Sequence, residues 1–316
     1  MRFLRYLHDP GPGYAGCVAT IGNFDGVHVG HQAVLGQVKG LAAELGLPAA
    51  VILFEPQPLE FFAGTAAPAR LTSLREKLRQ LPGFGIDRVA CLRFDRALAG
   101  LSPREFVADV LVRGLGAKRV VVGEDFRFGR DRQGDLAMLK SLARESGFEV
   151  VGARTLSVDG ERASSSRIRD LLAAGDLDRA ARLLGRPYRM SGRVVRGDAR
   201  GRELGFPTAN VDLSRRRPPL DGIFAVRVIG LNGGMHDGVA SIGTRPVFGG
   251  GHLVLEAHLF DFNDVIYGRR IEVEFVRRLR AERNFESAEA LRAQMAVDAQ
   301  QAQDILRSSA RTGGDA

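Results

Sequence analysis

The chain is short of several things, and each shortage removes a class of protein. Cysteine occurs twice in 316 residues, at Cys17 and Cys91, each inside an apolar run. That argues against a disulfide framework or a cysteine-ligated metal, and it predicts buried thiols in a reducing compartment, the cytoplasm. Long apolar runs are missing too: stretches such as Ala49 to Phe54 fall far short of the roughly 20 residues that span a bilayer. The first ten residues, Met1 to Pro10, have neither the apolar core nor the cleavage site of a secretory signal. No internal repeat is evident. Lysine is scarce, with only Lys39, Lys77, Lys118 and Lys140 among 45 Lys and Arg. The net charge of +8 is therefore carried by arginine, which suits phosphate recognition. It is spread evenly, with 26 cations against 21 acids through Arg186 and 19 against 16 beyond. The longest basic block is Arg215-Arg216-Arg217. Such a surface attracts nucleotide phosphates as readily as nucleic acid, and no nucleic-acid or membrane partner is expected.

What remains is ordinary globular material, 45% hydrophobic and 26% charged, enough for two cores. In the first part, strand-like runs at Cys17–Ile21, Ala49–Phe54, Val89–Phe94, Arg119–Val122 and Phe148–Val151 alternate with helical patterns near 30–45, 102–113 and 134–146. Strands separated by helices imply an α/β domain with a doubly wound parallel sheet, Rossmann-like in class. Two short helices follow, Arg167 to Ala174 and, from an Asp176 cap, on to Leu184. Gly185 and Pro187 then break the chain, so domains are expected over 1–186 and 187–316. Beyond the break, runs at Tyr188–Val195, Ile223–Ile229, Gly238–Ile242, Leu253–Phe260 and Ile271–Arg277 follow one another across glycine and proline turns. That predicts an antiparallel barrel or sandwich, then one amphipathic helix from about Ser287.

The sharpest local signal is Gly22-Asn-Phe-Asp-Gly-Val-His-Val-Gly-His31, between a buried strand and a helix. Open α/β sheets bind ligands at the carboxyl ends of their strands, and helix N-termini offer free N–H groups to anions. Gly22, Gly26 and Gly30 allow a phosphate close to the backbone, and Asn23, Phe24 and Asp25 complete the turn. His28 and His31, three apart, can face one bound group. At these residues the sequence resembles the nucleotidyltransferases with a His-x-Gly-His motif, and more closely the bacterial bifunctional riboflavin kinase/FAD synthetases. The resemblance runs on through Phe54-Glu-Pro-Gln-Pro58, Gly123-Glu-Asp-Phe-Arg-Phe-Gly129 and Ser164-Ser-Ser-Arg-Ile-Arg169. In the last, Ser166 replaces the family's threonine and keeps its hydroxyl. It implies adenylyl transfer from ATP to FMN, with His28 and His31 stabilising charge at the α-phosphate. Ser165, Ser166, Arg167 and Arg169 would hold the outer phosphates, the two arginines gripping the departing pyrophosphate. Asp125, where some members carry asparagine, and Arg162 are assigned to the same phosphate neighbourhood.

The second part opens with Gly192-Arg-Val-Val-Arg-Gly197, then Gly201 and Gly205-Phe-Pro-Thr-Ala-Asn210. It has no Gly-Lys-Ser/Thr, so this is not a P-loop of the usual kind, yet spaced glycines can still cradle phosphates. Thr208 and Asn210 offer hard oxygens two residues apart, suited to Mg²⁺ beside phosphates. Gly-Phe-Pro-Thr-Ala-Asn resembles the signature of the family's flavokinase domain, a β-barrel. The likeness continues through Asp221–Ala225, Ser241–Pro246, Leu255–Phe262 and Arg283–Ser287. It implies phosphorylation of riboflavin by ATP, with Glu256 as general base, Thr208 and Asn210 as metal ligands, and Gly197, Gly201, Gly205, Pro207 and Arg245 around ATP and flavin. Glu256 interrupts an alternating apolar run, and periodicity alone equally allows an outward-facing surface carboxylate. Arg245 and Val247 depart from the family's Gly-Thr-Asn-Pro-Thr-Phe, which bears on substrate affinity. The whole implies a two-step enzyme making FMN and then FAD, with ATP and Mg²⁺ for both steps. Two alternatives stay open: a single-step nucleotidyltransferase of other specificity, and a flavin-sensing regulator with decayed catalysis. Homo-oligomerisation is likewise left open by the sequence.

Overall fold

A computed structural model describes residues 1–5, 15–153, 156–197, 201, 204–213, 215, 217–232, 234–245 and 252–312. Contacts group the chain into two units, one of Met1–Pro68 with Leu74–Ala163, the other of Ala69–Ser73 with Ser164–Ala316.

In the first unit, β1 (Arg2–Leu4), β2 (Cys17–Ile21), β3 (Ala49–Glu55), β4 (Arg88–Arg93), β5 (Ala117–Val122) and β6 (Glu149–Gly152) form one sheet in the order β1-β4-β3-β2-β5-β6. Every pairing in it is parallel. Parallel strands are covered on both faces, which is why β2 and the first five residues of β3 are buried without alternation. Two apolar clusters fill the two sides, one around Leu111, Val120 and Leu139, the other around Leu35, Val51 and Leu81. From β2 the chain steps to β3 and β4 on one side and returns to β5 and β6 on the other. The order therefore reverses at β2, the position where such sheets open a ligand crevice.

The helices are α1 (Val29–Leu45), α2 (Pro58–Ala63), α3 (Leu74–Gln80), α4 (Arg96–Gly100), α5 (Pro103–Glu105, continued as a π-helix over Phe106–Gly114) and α6 (Leu136–Ser146). α1 and α6 each end on a left-handed glycine, Gly46 (φ 62°) and Gly147 (φ 76°), the stop signal their sequences carry. The edge strand β1, and α2, α3 and α4, have too few residues to show a period. A two-stranded hairpin, β7 (Ser157–Val158) and β8 (Glu161–Arg162), completes the unit.

In the second unit, α7 (Ser165–Ala174) and α8 (Leu177–Leu184) have the caps the sequence predicts, Asp176 and glycines 175 and 185. By contact they sit with the barrel: Arg277 pairs with Asp178 at 3.6 Å, and Gly175 lies under the Arg278 side chain. The barrel is β9 (Arg189–Val195), β10 (Ala209–Asp212), β11 (Gly222–Leu231), β12 (Gly234–Arg245), β13 (His252–Leu259) and β14 (Arg270–Arg280). It closes in the order β10-β13-β12-β11-β14-β9, all antiparallel. β11, β12 and β14 run longer than the expected stretches, β9 and β13 match theirs to within a residue at each end, and the short β10 is the barrel strand the pattern misses. Along β13 the inward Leu255, Ala257 and Leu259 are buried, and Glu256 and His258 point outward. The last helix, α9 (Ala288–Thr312), lays Ala302 and Leu306 on the outer face of the barrel at Ala225. A bidentate pair clamps it there: Arg280 donates through Nε and Nη2 to the buried carboxylate of Asp298, at 3.0 and 2.7 Å. Removing either partner would strand a buried charge, at about 3–5 kcal/mol.

Candidate active sites

The Gly22–His31 turn leaves the carboxyl end of β2, at the reversal point of the sheet. Phe24 (φ 46°) and Val27 (φ 43°) both take left-handed backbone, an uncommon state for any side chain and more so for a β-branched one. Both side chains are buried in the core, so packing holds the strained turn in place. The turn delivers His28 as the N-cap of α1, its Nδ1 accepting from the His31 backbone N–H at 3.3 Å. With Nδ1 accepting, Nε2 is the His28 ring nitrogen left to donate. The rings of His28 and His31 stack at 3.6 Å and 20°, and Phe24 closes on His31 at 5.0 Å. At Gly30 a Cβ would come within 3.2 Å of the His28 ring, so glycine there keeps that ring in place. Burial first, then the charges of His28 and Lys77, hold the His31 pKa well below the usual histidine value. The His31 ring is therefore neutral at physiological pH, and its buried Nδ1 has no hydrogen-bond partner among the described residues. Asp25 is also buried, at 2% exposure, and Gln32 fastens the turn by donating to the Val27 carbonyl at 2.9 Å.

The segments after β3, β4 and β5 leave the same edge, because all these strands run parallel. Pro56-Gln-Pro58 and Gly123–Gly129 thus emerge beside the histidine turn. Asp125 is paired, accepting from Arg162 Nη2 at 2.9 Å, which neutralises an acid that would otherwise repel phosphates. The sequence reading misses an aromatic group on this edge. Phe54 and Phe94, at the ends of adjacent strands, and Phe61 and Phe62 on α2 form edge-to-face contacts of 5.2–5.8 Å. Phe62 keeps 70% of its surface exposed. The usable signal was phenylalanine closing two strand-like runs in succession. Of the serine element, Ser164 caps α7 by accepting from the Arg167 N–H at 3.2 Å, and Ser165, Ser166, Arg167 and Arg169 occupy its first two turns. Arg169 donates through Nε to the Ala69 carbonyl.

The second site forms on the outer face of the barrel. Asn210 on β10 stands directly opposite Glu256 on β13, which in turn stands opposite Ser241 on β12. Directly opposed residues share a face. That outward face is no open surface: α9 and the stretch from Arg280 to Ala288 cover it, enclosing a cavity of about 770 Å³ lined by Thr208, Ser241, Glu256, His258 and Glu282 among others. A smaller cavity of about 260 Å³, lined by Pro207, Phe262, Asp264 and Tyr267, meets the same Thr208. The glycines explain themselves here. A Cβ on Gly197 would occupy the Asn210 amide, and one on Gly201 would press on the Phe206 carbonyl and lie 3.1 Å from Thr208 Oγ1. Gly205 takes φ 86°, which favours glycine. His258, which the sequence reading passes over, binds the Pro207 carbonyl through Nδ1 at 2.9 Å and so props the Thr208 loop. Arg245 ends β12, its backbone opposite His252; its side chain and Val247 lie outside the described residues. Gly201→Ala is expected to slow riboflavin phosphorylation roughly tenfold by overpacking the Thr208 loop. FMN adenylylation by the same variant, assayed separately, is expected to stay unchanged.

A family model for FAD synthetase matches residues 13–167, and one for riboflavin kinase matches residues 184–306. A bifunctional riboflavin kinase/FMN adenylyltransferase of Pseudomonas fluorescens is 49% identical over 311 residues, covering 98% of this chain and 99% of the relative. The Escherichia coli K12 protein of the same description is 48% identical, covering 94% and 96%. Among solved structures, one described as a macrolide-efflux protein from Streptococcus pneumoniae superposes with a TM-score of 0.79 at 30% identity, covering 94% and 97%. Among the described residues no helix is long and apolar enough to cross a membrane. Two catalytic motifs, two folds and two family matches coincide along one chain, which belongs to the bifunctional riboflavin kinase/FMN adenylyltransferase family and makes FAD from riboflavin in two ATP-dependent steps.

Proposed function

We propose that residues 1–186 carry out adenylyl transfer and residues 187–316 the kinase step, with α7 serving the first although it packs with the barrel. The observation that supports the kinase assignment best is the pair of cavities meeting at Thr208. The larger contains Glu256, so it takes riboflavin, and the smaller takes the nucleotide. The 5′-hydroxyl attacks the γ-phosphorus, Glu256 accepts the hydroxyl proton, and ADP leaves. Thr208 and Asn210 are hard oxygen donors whose seats are kept clear by Gly201 and Gly197. They fit Mg²⁺, which prefers few protein oxygens beside phosphates. When bound, the ion supplies charge neutralisation at the transferring phosphate. Pro207 lines the smaller cavity, and Gly205 and Arg245 are assigned to ATP and flavin by the family's motif alone.

In the transferase, an FMN phosphate oxygen attacks the α-phosphorus of ATP and pyrophosphate departs. A phosphate needs no base at neutral pH, so the protein supplies alignment and charge stabilisation. His28 and the neutral ring of His31 donate to the reacting phosphate at the strained turn formed by Gly22, Asn23, Phe24, Asp25 and Gly26, with Gly30 beside them. Ser165, Ser166, Arg167 and Arg169 hold the outer phosphates, and Arg162, balanced by Asp125, borders them. The exposed Phe62, backed by its aromatic neighbours, offers an apolar face to the isoalloxazine ring. The two buried thiols, outside any disulfide, support a cytoplasmic location, and the even charge supports flavins and nucleotides, not nucleic acid, as partners.

The test is a time course of separated flavins after mixing protein, riboflavin, excess ATP and Mg²⁺. FMN rising first and FAD following is the expected result. FAD from FMN without any FMN from riboflavin would overturn the kinase assignment.

A further inference from the structure

Residues 69–73 belong by sequence to the first domain, lying between Pro68 and α3, yet by contact they belong with the second unit. Leu71 is fully buried and Thr72 is 3% exposed. The backbone of this strap is held from two directions. Arg169 of α7 donates through Nε to the carbonyl of Ala69. Two residues from the kinase half hold the next carbonyls. Tyr188 donates through its hydroxyl to Leu71 O at 3.1 Å, and Arg215 donates through Nη1 to Arg70 O at 3.3 Å and Leu71 O at 3.2 Å. Arg215 Nη1 also reaches the Tyr188 hydroxyl at 3.1 Å, so the three groups form one network.

A guanidinium is planar and rigid, so a bond that fixes its Nε fixes the plane in which its other nitrogens point. The carbonyl of Ala69 holds Arg169 through Nε, and Tyr188 and Arg215 hold the carbonyls of the two residues that follow it. Tyr188 immediately precedes β9 and Arg215 follows β10, and neither lines the two cavities described above. We propose that Tyr188 and Arg215 are positioning residues for FMN adenylylation, acting through the 69–73 strap on Arg169. This rests on the assignment of Arg169 to the ATP phosphates. It gives residues of the kinase half a part in the other domain's reaction.

The experiment uses the full chain and the variants Tyr188→Phe, Arg215→Gln and Arg169→Ala, singly and combined. Tyr188→Phe keeps the ring, which packs beside Phe275, and removes only the hydroxyl. Each of Tyr188→Phe and Arg215→Gln is expected to raise the KM for ATP in FMN adenylylation about 3- to 10-fold. The KM for FMN and riboflavin phosphorylation should stay unchanged. In the Arg169→Ala background the same substitutions should add nothing, because their effect passes through Arg169. A purely structural role predicts equal losses in both backgrounds, and that additive result would overturn the proposal. So would an impaired Arg169→Ala beside unaltered Tyr188→Phe and Arg215→Gln. If Arg169→Ala itself left the KM for ATP unchanged, the assignment of Arg169 to the phosphates would be what fails.

Discussion

Replacing His31 with alanine is expected to slow FMN adenylylation by about 10²–10³-fold, the usual cost of removing one preorganised donor from a charge-stabilising site. Riboflavin phosphorylation by the same variant should be unchanged, since it uses the other domain. The expectation rests on geometry: a neutral, stacked imidazole held at the reversal point of a parallel sheet by a strained turn. His28 needs a finer test because it also caps α1. His28→Ser keeps a cap acceptor, so the helix survives while the donor's reach is lost. Loss of adenylylation in His28→Ser with an unchanged melting temperature would separate catalysis from capping. Retention of the rate in both variants would remove the histidine pair from the mechanism.

The same ring has a consequence for stability against pH. His31 binds a proton less readily folded than unfolded, where its value is near 6.5. Its contribution is complete above that value and is lost as pH falls below it, because the unfolded chain then takes up the proton. Denaturation midpoints between pH 7 and pH 5 should accordingly fall less steeply in His31→Ala than in the parent protein.

The second large effect is expected from Glu256→Gln, which keeps the shape of the side chain and removes its basicity. Riboflavin phosphorylation should fall about 10²–10⁴-fold, while FAD formation from supplied FMN continues. The expectation rests on register, with Glu256 opposite both Asn210 and Ser241. A variant within a few-fold of the parent rate would show that the carboxylate is not the base. It would turn attention to Glu282, which lines the same cavity with its carboxylate against Gly243.

Much of this was legible in the chain itself. The buried runs at Cys17–Ile21 and Ala49–Phe54 show a parallel sheet because strands covered on both faces need no alternation. The caps at Asp176, Gly175 and Gly185 lie where a short-range rule puts them. The histidine turn and the Pro-Thr-Ala-Asn loop are contiguous in sequence, so their chemistry could be read before any fold was known. Three features depended on residues far apart in the chain. The outward Glu256 lines a cavity only because α9 and residues 280–288 cover that face of the barrel, with Arg280 and Asp298 as the clamp. Phe54, Phe61, Phe62 and Phe94 become one platform only because β3 and β4 are neighbours in the sheet. The strap at 69–73 carries no motif, and its place is set by Arg169, Tyr188 and Arg215, about 100 or more residues away. The sequence alone determined which chemistries the protein performs, since motifs, caps and periodicity are local. Tertiary structure decided which surfaces close into cavities and which distant residues hold one another, because burial and hydrogen bonding between distant segments exist only once the chain has closed on itself.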